Sequence, residues 1–169
     1  MTCFTSDKAI RDKVKRLAGP LARPRVLDLF AGCGGLSLGV HAAGYEIVSA
    51  MEIDPLAARS HAANFFRDAP GEEVEHHAKP RDITQVEPEE LVADFGFGTA
   101  DAAIDVIVGG PPCQAYARVG RAKLRDVAAH PHAFKVDPRG NLYLRYLAYV
   151  ERLKPLALLM ENVPDILNY

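Results

Sequence analysis

Short apolar runs alternate with helical stretches along this chain, and each run ends in a turn carrying glycine, proline or an acid. Arg25 to Phe30 reads as a buried strand that breaks into Gly32, Gly34 and Gly35. A short helix closing near Gly44 leads to a second run, Glu46 to Met51, which ends on Glu52-Ile53-Asp54-Pro55. A helix is expected from about Pro55 to Phe66, since proline fits a first helical turn. Further on, the pattern predicts a short strand near Val74–Ala78, a helix near Pro88–Asp94 and a strand over Ile104–Val108. A helix follows over Arg139–Leu153, where Tyr143, Tyr146, Leu147 and Val150 recur at helical spacing as a core stripe. Leu156 to Met160 is the last strand. Ahead of them all, Ile10, Val14 and Leu17 mark a helix that Ser6 can cap and Gly19-Pro20 stops. Strands alternating with helices imply βαβ units, a mostly parallel sheet and a Rossmann-like α/β domain.

Composition sets the limits. A chain of 169 residues fits one domain. With 49% hydrophobic and 25% charged residues it is neither a disordered tail nor a coiled coil. No apolar run approaches the roughly 20 residues of a membrane span, and Met1 to Arg11 lacks a signal-peptide core. Three cysteines, Cys3, Cys33 and Cys113, are too few for a disulfide framework, which suits a reducing cytosol. Cys33, in the glycine turn, reads as a small packed side chain, and Cys3 as part of a frayed terminus. The net charge of −2 is unevenly spread. Residues 66–101 carry three basic and ten acidic side chains, whereas residues 115–139 carry six basic and two acidic. The basic stretch, read as a loop, is where a polyanion could touch.

In an open α/β sheet, ligands bind beyond the carboxyl ends of the strands, and three strand ends here carry suggestive residues. The glycine turn lets a ligand approach the main chain, and Glu52 stands where an acid can accept hydrogen bonds from ribose hydroxyls. A plain structural turn remains the alternative. Ile104–Val108 runs into Gly109-Gly110-Pro111-Pro112-Cys113-Gln114. A cysteine before a basic loop can be a thiolate nucleophile or a buried structural residue. The last strand ends in Glu161-Asn162-Val163, where the glutamate needs either a partner or a task. His76-His77 and His130-x-His132 have no cysteine or carboxylate at ligand spacing, so they read as solvated loop histidines and no metal is expected.

Taken together, Asp28-x-Phe30-x-Gly32-x-Gly34-Gly35, Glu52-Ile53-Asp54, Pro112-Cys113-Gln114 and Glu161-Asn162-Val163 resemble the motifs of the cytosine carbon-5 DNA methyltransferases. The resemblance runs over roughly residues 25–166. It implies a Rossmann-like, S-adenosylmethionine-dependent methyltransferase fold. It also implies methyl transfer to carbon 5 of cytosine in DNA through a covalent adduct on Cys113, with S-adenosylhomocysteine as product. Glu161 would hold a proton near neutrality and present it to ring nitrogen 3. The cofactor site would comprise Phe30, Gly32, Gly34, Gly35, Leu36, Glu52, Ile53, Asp82, Ile83, Pro112 and Leu142. Gln114 and Asn162 would face the substrate, and Arg118, Arg121, Lys123 and Arg125 the phosphates of double-stranded DNA.

Ala117 stands where the family often has serine. The chain ends at Tyr169, just after Glu-Asn-Val. Relative to the family, this is the N-terminal part of one catalytic domain, with the sheet incomplete at its C-terminal side and the target-recognition domain absent. Activity would then need the remaining segments, in cis or on a complementing chain. Two other readings are a tRNA cytosine-5 methyltransferase and an inactive or cofactor-binding fragment of a split enzyme. The expected location is the cytoplasm, with the nucleoid if the source is prokaryotic.

Overall fold

In the computed structural model, residues 8–94, 96–112 and 140–164 are described. Four strands form the sheet: β1 (Arg25–Leu29), β2 (Glu46–Met51), β3 (Val106–Gly109) and β4 (Ala157–Met160). All pair in parallel, in the order β2-β1-β3-β4. The strands follow from their apolar runs: Val26, Leu27, Leu29, Ile107 and Val108 are fully buried. The chain moves outward from β1 to β2, then returns to the other side of β1 to start β3. The order therefore reverses between β1 and β3, and a crevice opens there at the carboxyl ends of the strands.

Helices cover both faces. On one side, α2 (Gly35–Ala42) and α3 (Pro55–Phe65) pack over Val26, Ile47 and Val108 through Leu36, Val40 and Phe65. Asp54 caps α3, its Oδ1 accepting from the amides of Leu56 and Ala57, with Pro55 in the first turn as expected. On the other side lie α5 (Pro88–Asp94), α6 (Ala100–Ala103) and α7 (Gly140–Leu153). They bury Leu27, Leu29, Ile107, Leu91, Tyr146, Tyr149 and Leu153 in the larger core.

Three expectations change. The segment near Val74–Ala78 is not a strand but α4 (Gly71–His77). Glu72 and Glu73 in its first turn suit the helix dipole. The sheet accordingly has four strands among the described residues, not five. In the first helix, α1 (Lys8–Leu17), the apolar spacing marks the helix but not its buried face. Ile10 and Val14 are exposed, while Ala9 and Lys13 are buried. The Lys13 ammonium donates to the carbonyls of Leu153 and Lys154, both at 2.8 Å, and so satisfies the end of α7. The Tyr143–Val150 stripe is rotated as well: Tyr146 is buried, but Leu147 is exposed and Tyr149 and Leu153 enter the core instead.

Candidate active site

The crevice at the β1/β3 switch is built on a strained turn. Phe30 leaves β1 with φ 61°, followed by Gly32 at 55° and Gly34 at 98°. Positive φ is costly for a residue with a side chain, so Phe30 is held there by its surroundings. The Ala31 amide donates to Met51 O (3.1 Å), tying the turn to the end of β2. Gly34 meets a second demand. A Cβ there would clash with Phe65 Cε2 and lie 3.0 Å from His61 Cδ2, so α3 is packed directly beneath the turn. Asn64 of α3 also donates to Cys33 O at 3.1 Å. Cys33 itself is exposed, not packed, because the turn carries its side chain outward while its carbonyl faces α3.

Below the turn runs a buried polar chain. Ser37, in the first turn of α2, donates from both its amide (3.2 Å) and its hydroxyl (2.7 Å) to Asp28 Oδ2. Its oxygen lies 3.0 Å from His61 Nε2. With the ring proton on Nε2, the imidazole donates to Ser37 and Ser37 donates to Asp28. Burial pushes the Asp28 carboxyl up to about 6 and the His61 imidazole down to about 4, since desolvation disfavours each charged form. This network joins β1, α2 and α3 under the glycines. No pattern in the sequence pointed to Ser37, His61 or Asn64, because their partners are 9 to 31 positions away.

Glu52, at the end of β2, braces the turn from the side. Its Oε2 accepts from the Gly32 amide and its Oε1 from the Asp54 amide, both at 2.8 Å. Its carbonyl accepts from the Arg81 amide, bringing the 81–83 segment alongside. Between them lies a mainly apolar cavity of about 110 Å³, lined by Phe30, Met51, Glu52, Ile53, Arg81, Asp82, Ile83, Pro112 and Leu142. Seven of the sequence-derived candidates thus converge on one space, together with Met51 and Arg81, which the sequence reading did not assign to it. Gly32, Gly34 and Gly35 form the adjoining turn, and the Leu36 side chain packs into the core over Val26 and Val108. Ile53 is 63% exposed, an apolar surface available to a flat ring. An apolar slot edged by two carboxylates, Glu52 and Asp82, suits a nucleoside with a hydroxylated sugar and a donor-bearing base.

Two larger grooves, of about 610 and 590 Å³, lie away from this end. The first sits at the C-terminal end of α7 and the second outside the β2 edge. Neither is bordered by a strand's carboxyl end. In the second, His77 is buried and stacks on Phe66 with ring centroids 3.5 Å apart, so the histidine pair is not a solvated loop. No group of three metal-ligating side chains occurs among the described residues.

The end of β3 meets the end of β4 beside the cavity. The Glu161 amide donates to Gly109 O at 3.0 Å, extending the parallel ladder. Glu161 Oε2 would stand 3.1 Å from a Cβ at Gly110, so the carboxylate lies against the Gly110 backbone. Asn162 donates to Pro111 O at 2.9 Å and accepts from the Val163 amide. Pro112 is thereby held between the cavity and the Glu161 segment. Cys113, Gln114, Arg118, Arg121, Lys123 and Arg125 lie outside the described residues.

A parallel sheet with a glycine turn at its switch point, an acid ending the next strand and an apolar slot between them defines a Rossmann-like α/β domain. Comparison with known proteins makes the class specific. Residues 24–169 match the model of the C-5 cytosine-specific DNA methylase family, and the chain belongs to that family. It is 40% identical over 147 residues to a protein of Oceanobacillus iheyensis named as a type II methyltransferase, M.OihORF3336P. It is 35% identical over 146 residues to the type II methyltransferase M.XorII of Xanthomonas oryzae. Each match covers 86% of this chain and 30% of the relative, so the chain spans about a third of their length. Among solved structures it is similar to an E. coli prophage protein described as a DNA modification methyltransferase, at 34% identity and a TM-score of 0.59. That match covers 85% of this chain and 33% of the other. The S. pombe Dnmt2 methyltransferase, at 22% identity and a TM-score of 0.53, shares the fold over 86% of this chain and 36% of its own. No described helix is long and apolar enough to cross a membrane.

Proposed function

We propose that this chain is the cofactor-binding and nucleophile-bearing part of an enzyme that methylates carbon 5 of cytosine in double-stranded DNA. The observation that carries the reading is the meeting of the strand-end cavity with the Glu161 segment across Pro111 and Pro112. It brings the apolar slot edged by Glu52 and Asp82 to the same crevice as the Glu161 carboxyl, next to the segment that leads into Cys113. S-adenosylmethionine supplies the methyl group when bound. Glu52 accepts from its ribose hydroxyls, Ile53 and Phe30 cover the adenine, and Asp82 accepts from the adenine amino group. The amides of Gly32, Gly34, Gly35 and Leu36 line the approach to the methionine portion, with Ile83, Pro112 and Leu142 completing the wall.

Carbon 5 of cytosine is a weak nucleophile until something adds at carbon 6. Cys113 forms that bond as a thiolate, and the electron pair it pushes through the ring makes carbon 5 nucleophilic. Glu161 protonates ring nitrogen 3 and neutralises the charge that develops. The target base must leave the duplex to be reached. Gln114 and Asn162 stand beside it, and Arg118, Arg121, Lys123 and Arg125 hold phosphates and set no sequence preference themselves. The chain corresponds to about 30% of the length of the relatives it matches, and turnover on DNA draws on the rest of that length, including a target-recognition region. The proposed location is the cytoplasm, at the nucleoid in a prokaryotic source.

Covalent trapping tests the chemistry. Protein carrying this sequence together with a target-recognition region is mixed with 5-fluorocytosine DNA and S-adenosylmethionine. A denaturation-resistant adduct should form and should vanish in Cys113→Ser. An adduct that survives that substitution contradicts the assignment, and methyl incorporation into tRNA in preference to DNA reverses the choice of substrate.

A further inference from the structure

One wall of the cavity, carrying Asp82 and Ile83, is an irregular turn. Residues 82–86 form a turn held internally by the Gln85 and Val86 amides donating to Asp82 O, and by Thr84 donating to Asp82 Oδ1 from its amide and its hydroxyl, both at 2.8 Å. Those bonds leave the carbonyls of Ile83 and Val86 to be satisfied from elsewhere, and buried carbonyls need donors. The donors come from α7, roughly 60 positions along the chain. Arg145 Nε donates to Ile83 O at 2.9 Å and its Nη2 to Val86 O at 2.9 Å. The Tyr149 hydroxyl donates to the same Val86 carbonyl at 2.9 Å. Arg145 Nη1 also pairs with Glu87 at 3.2 Å, and its guanidinium lies 5.9 Å from the Tyr149 ring centroid.

Leu142, Arg145 and Tyr149 fall at i, i+3 and i+7, one face of α7. That face lines the cavity directly through Leu142 and grips the opposite wall through Arg145 and Tyr149. We propose that Arg145 and Tyr149 are positioning residues for the cofactor: by fixing the Ile83 and Val86 carbonyls they set where Asp82 and Ile83 meet the adenine. The inference rests on the reading of the cavity as the cofactor pocket. Guanidinium geometry matters here, because two nitrogens of one planar fork reach carbonyls three residues apart, which a single ammonium cannot copy.

The test is calorimetric titration of the protein with two ligands. One is S-adenosylhomocysteine; the other is its analogue with hypoxanthine in place of adenine, which lacks the amino group. The variants are Arg145→Met, Arg145→Lys, Tyr149→Phe and Glu52→Ala, with melting temperatures recorded for each. Arg145→Met should weaken S-adenosylhomocysteine by about tenfold or more, in line with the worth of charge-assisted hydrogen bonds. Arg145→Lys should recover only part of that loss, and Tyr149→Phe, which keeps its ring in the core, should lose a few-fold. The losses should be several-fold smaller for the hypoxanthine analogue, because Asp82 then has no amino group to receive. Equal losses for both ligands, or unchanged affinity in folded Arg145→Met and Tyr149→Phe, overturn the inference while the pocket stands. No binding by the unsubstituted protein, or binding that Glu52→Ala leaves intact, overturns the pocket reading and the inference with it.

Discussion

Gly34 is constrained twice over. Its φ of 98° is strained for any side chain, and a Cβ would press on Phe65 and His61 in the rigid packing of α3. Gly34→Ala should cost about 2 kcal/mol or more in stability. It should also displace the turn, and denaturant unfolding with a parallel ligand titration would show both losses. Stability unchanged within about 0.5 kcal/mol would contradict the packing described. The buried titratable groups make a second prediction. His61 and His77 are both pushed down to about 4 by burial, so the folded protein resists their protonation. The unfolded chain takes up those protons below about 6.5, so stability is lost as pH falls from 6.5 towards 4. Asp28 opposes this: its folded value of about 6 lies above the unfolded 3.8, so it gains stability as pH falls through 6. At about 1.4 kcal/mol per pH unit, two histidines outweigh one carboxyl. The urea midpoint should therefore drop between pH 7 and pH 5, and drop further in Asp28→Asn. A midpoint that rises on acidification would contradict the burial of the two imidazoles.

At the scale of elements, α1 is, among the described helices, the one outside the family-matched residues, and its attachment is polar. Lys13 is 2% exposed and satisfies two carbonyls at the end of α7, where Lys154 takes a positive φ of 45°. Arg16 pairs with buried Asp105, which also accepts from the Arg25 amide. Lys13→Met should destabilise by about 2 kcal/mol, because it strands two carbonyls. It should leave S-adenosylhomocysteine affinity unchanged, since α1 sits at the N-terminal ends of the strands. A comparable fall in affinity would contradict that separation. Elements differ in how plainly the sequence announced them. The four strands were legible because each is a dense apolar run ending in a turn signal. α4 was not: Val74 is its only aliphatic side chain, so periodicity says little, and the dipole-matched Glu72 and Glu73 were the usable sign. The buried face of α1 was hidden because a lysine reads as solvent-facing until carbonyls are found for it. Arg145 and Tyr149 were hidden for a similar reason: their partners are main-chain atoms of an irregular turn far away in sequence.

For the molecule as a whole, function follows from topology. The reversal of strand order between β1 and β3 gathers the ends of all four strands into one crevice. Motifs spaced over more than a hundred positions thus become neighbours: Phe30 and Glu52 border one cavity with Asp82, Pro112 and Leu142, and Asn162 holds Pro111 beside it. That these residues meet was legible in the sequence, since strand-end positions are readable once the strands are. The central claim is that this crevice is a cofactor site formed by the chain itself. Its most direct test is a calorimetric titration of the 169-residue chain with S-adenosylhomocysteine, with Glu52→Ala as the control. Saturable binding that the substitution abolishes is the predicted result. A folded protein that binds no ligand, or binds it equally well without Glu52, would contradict the claim.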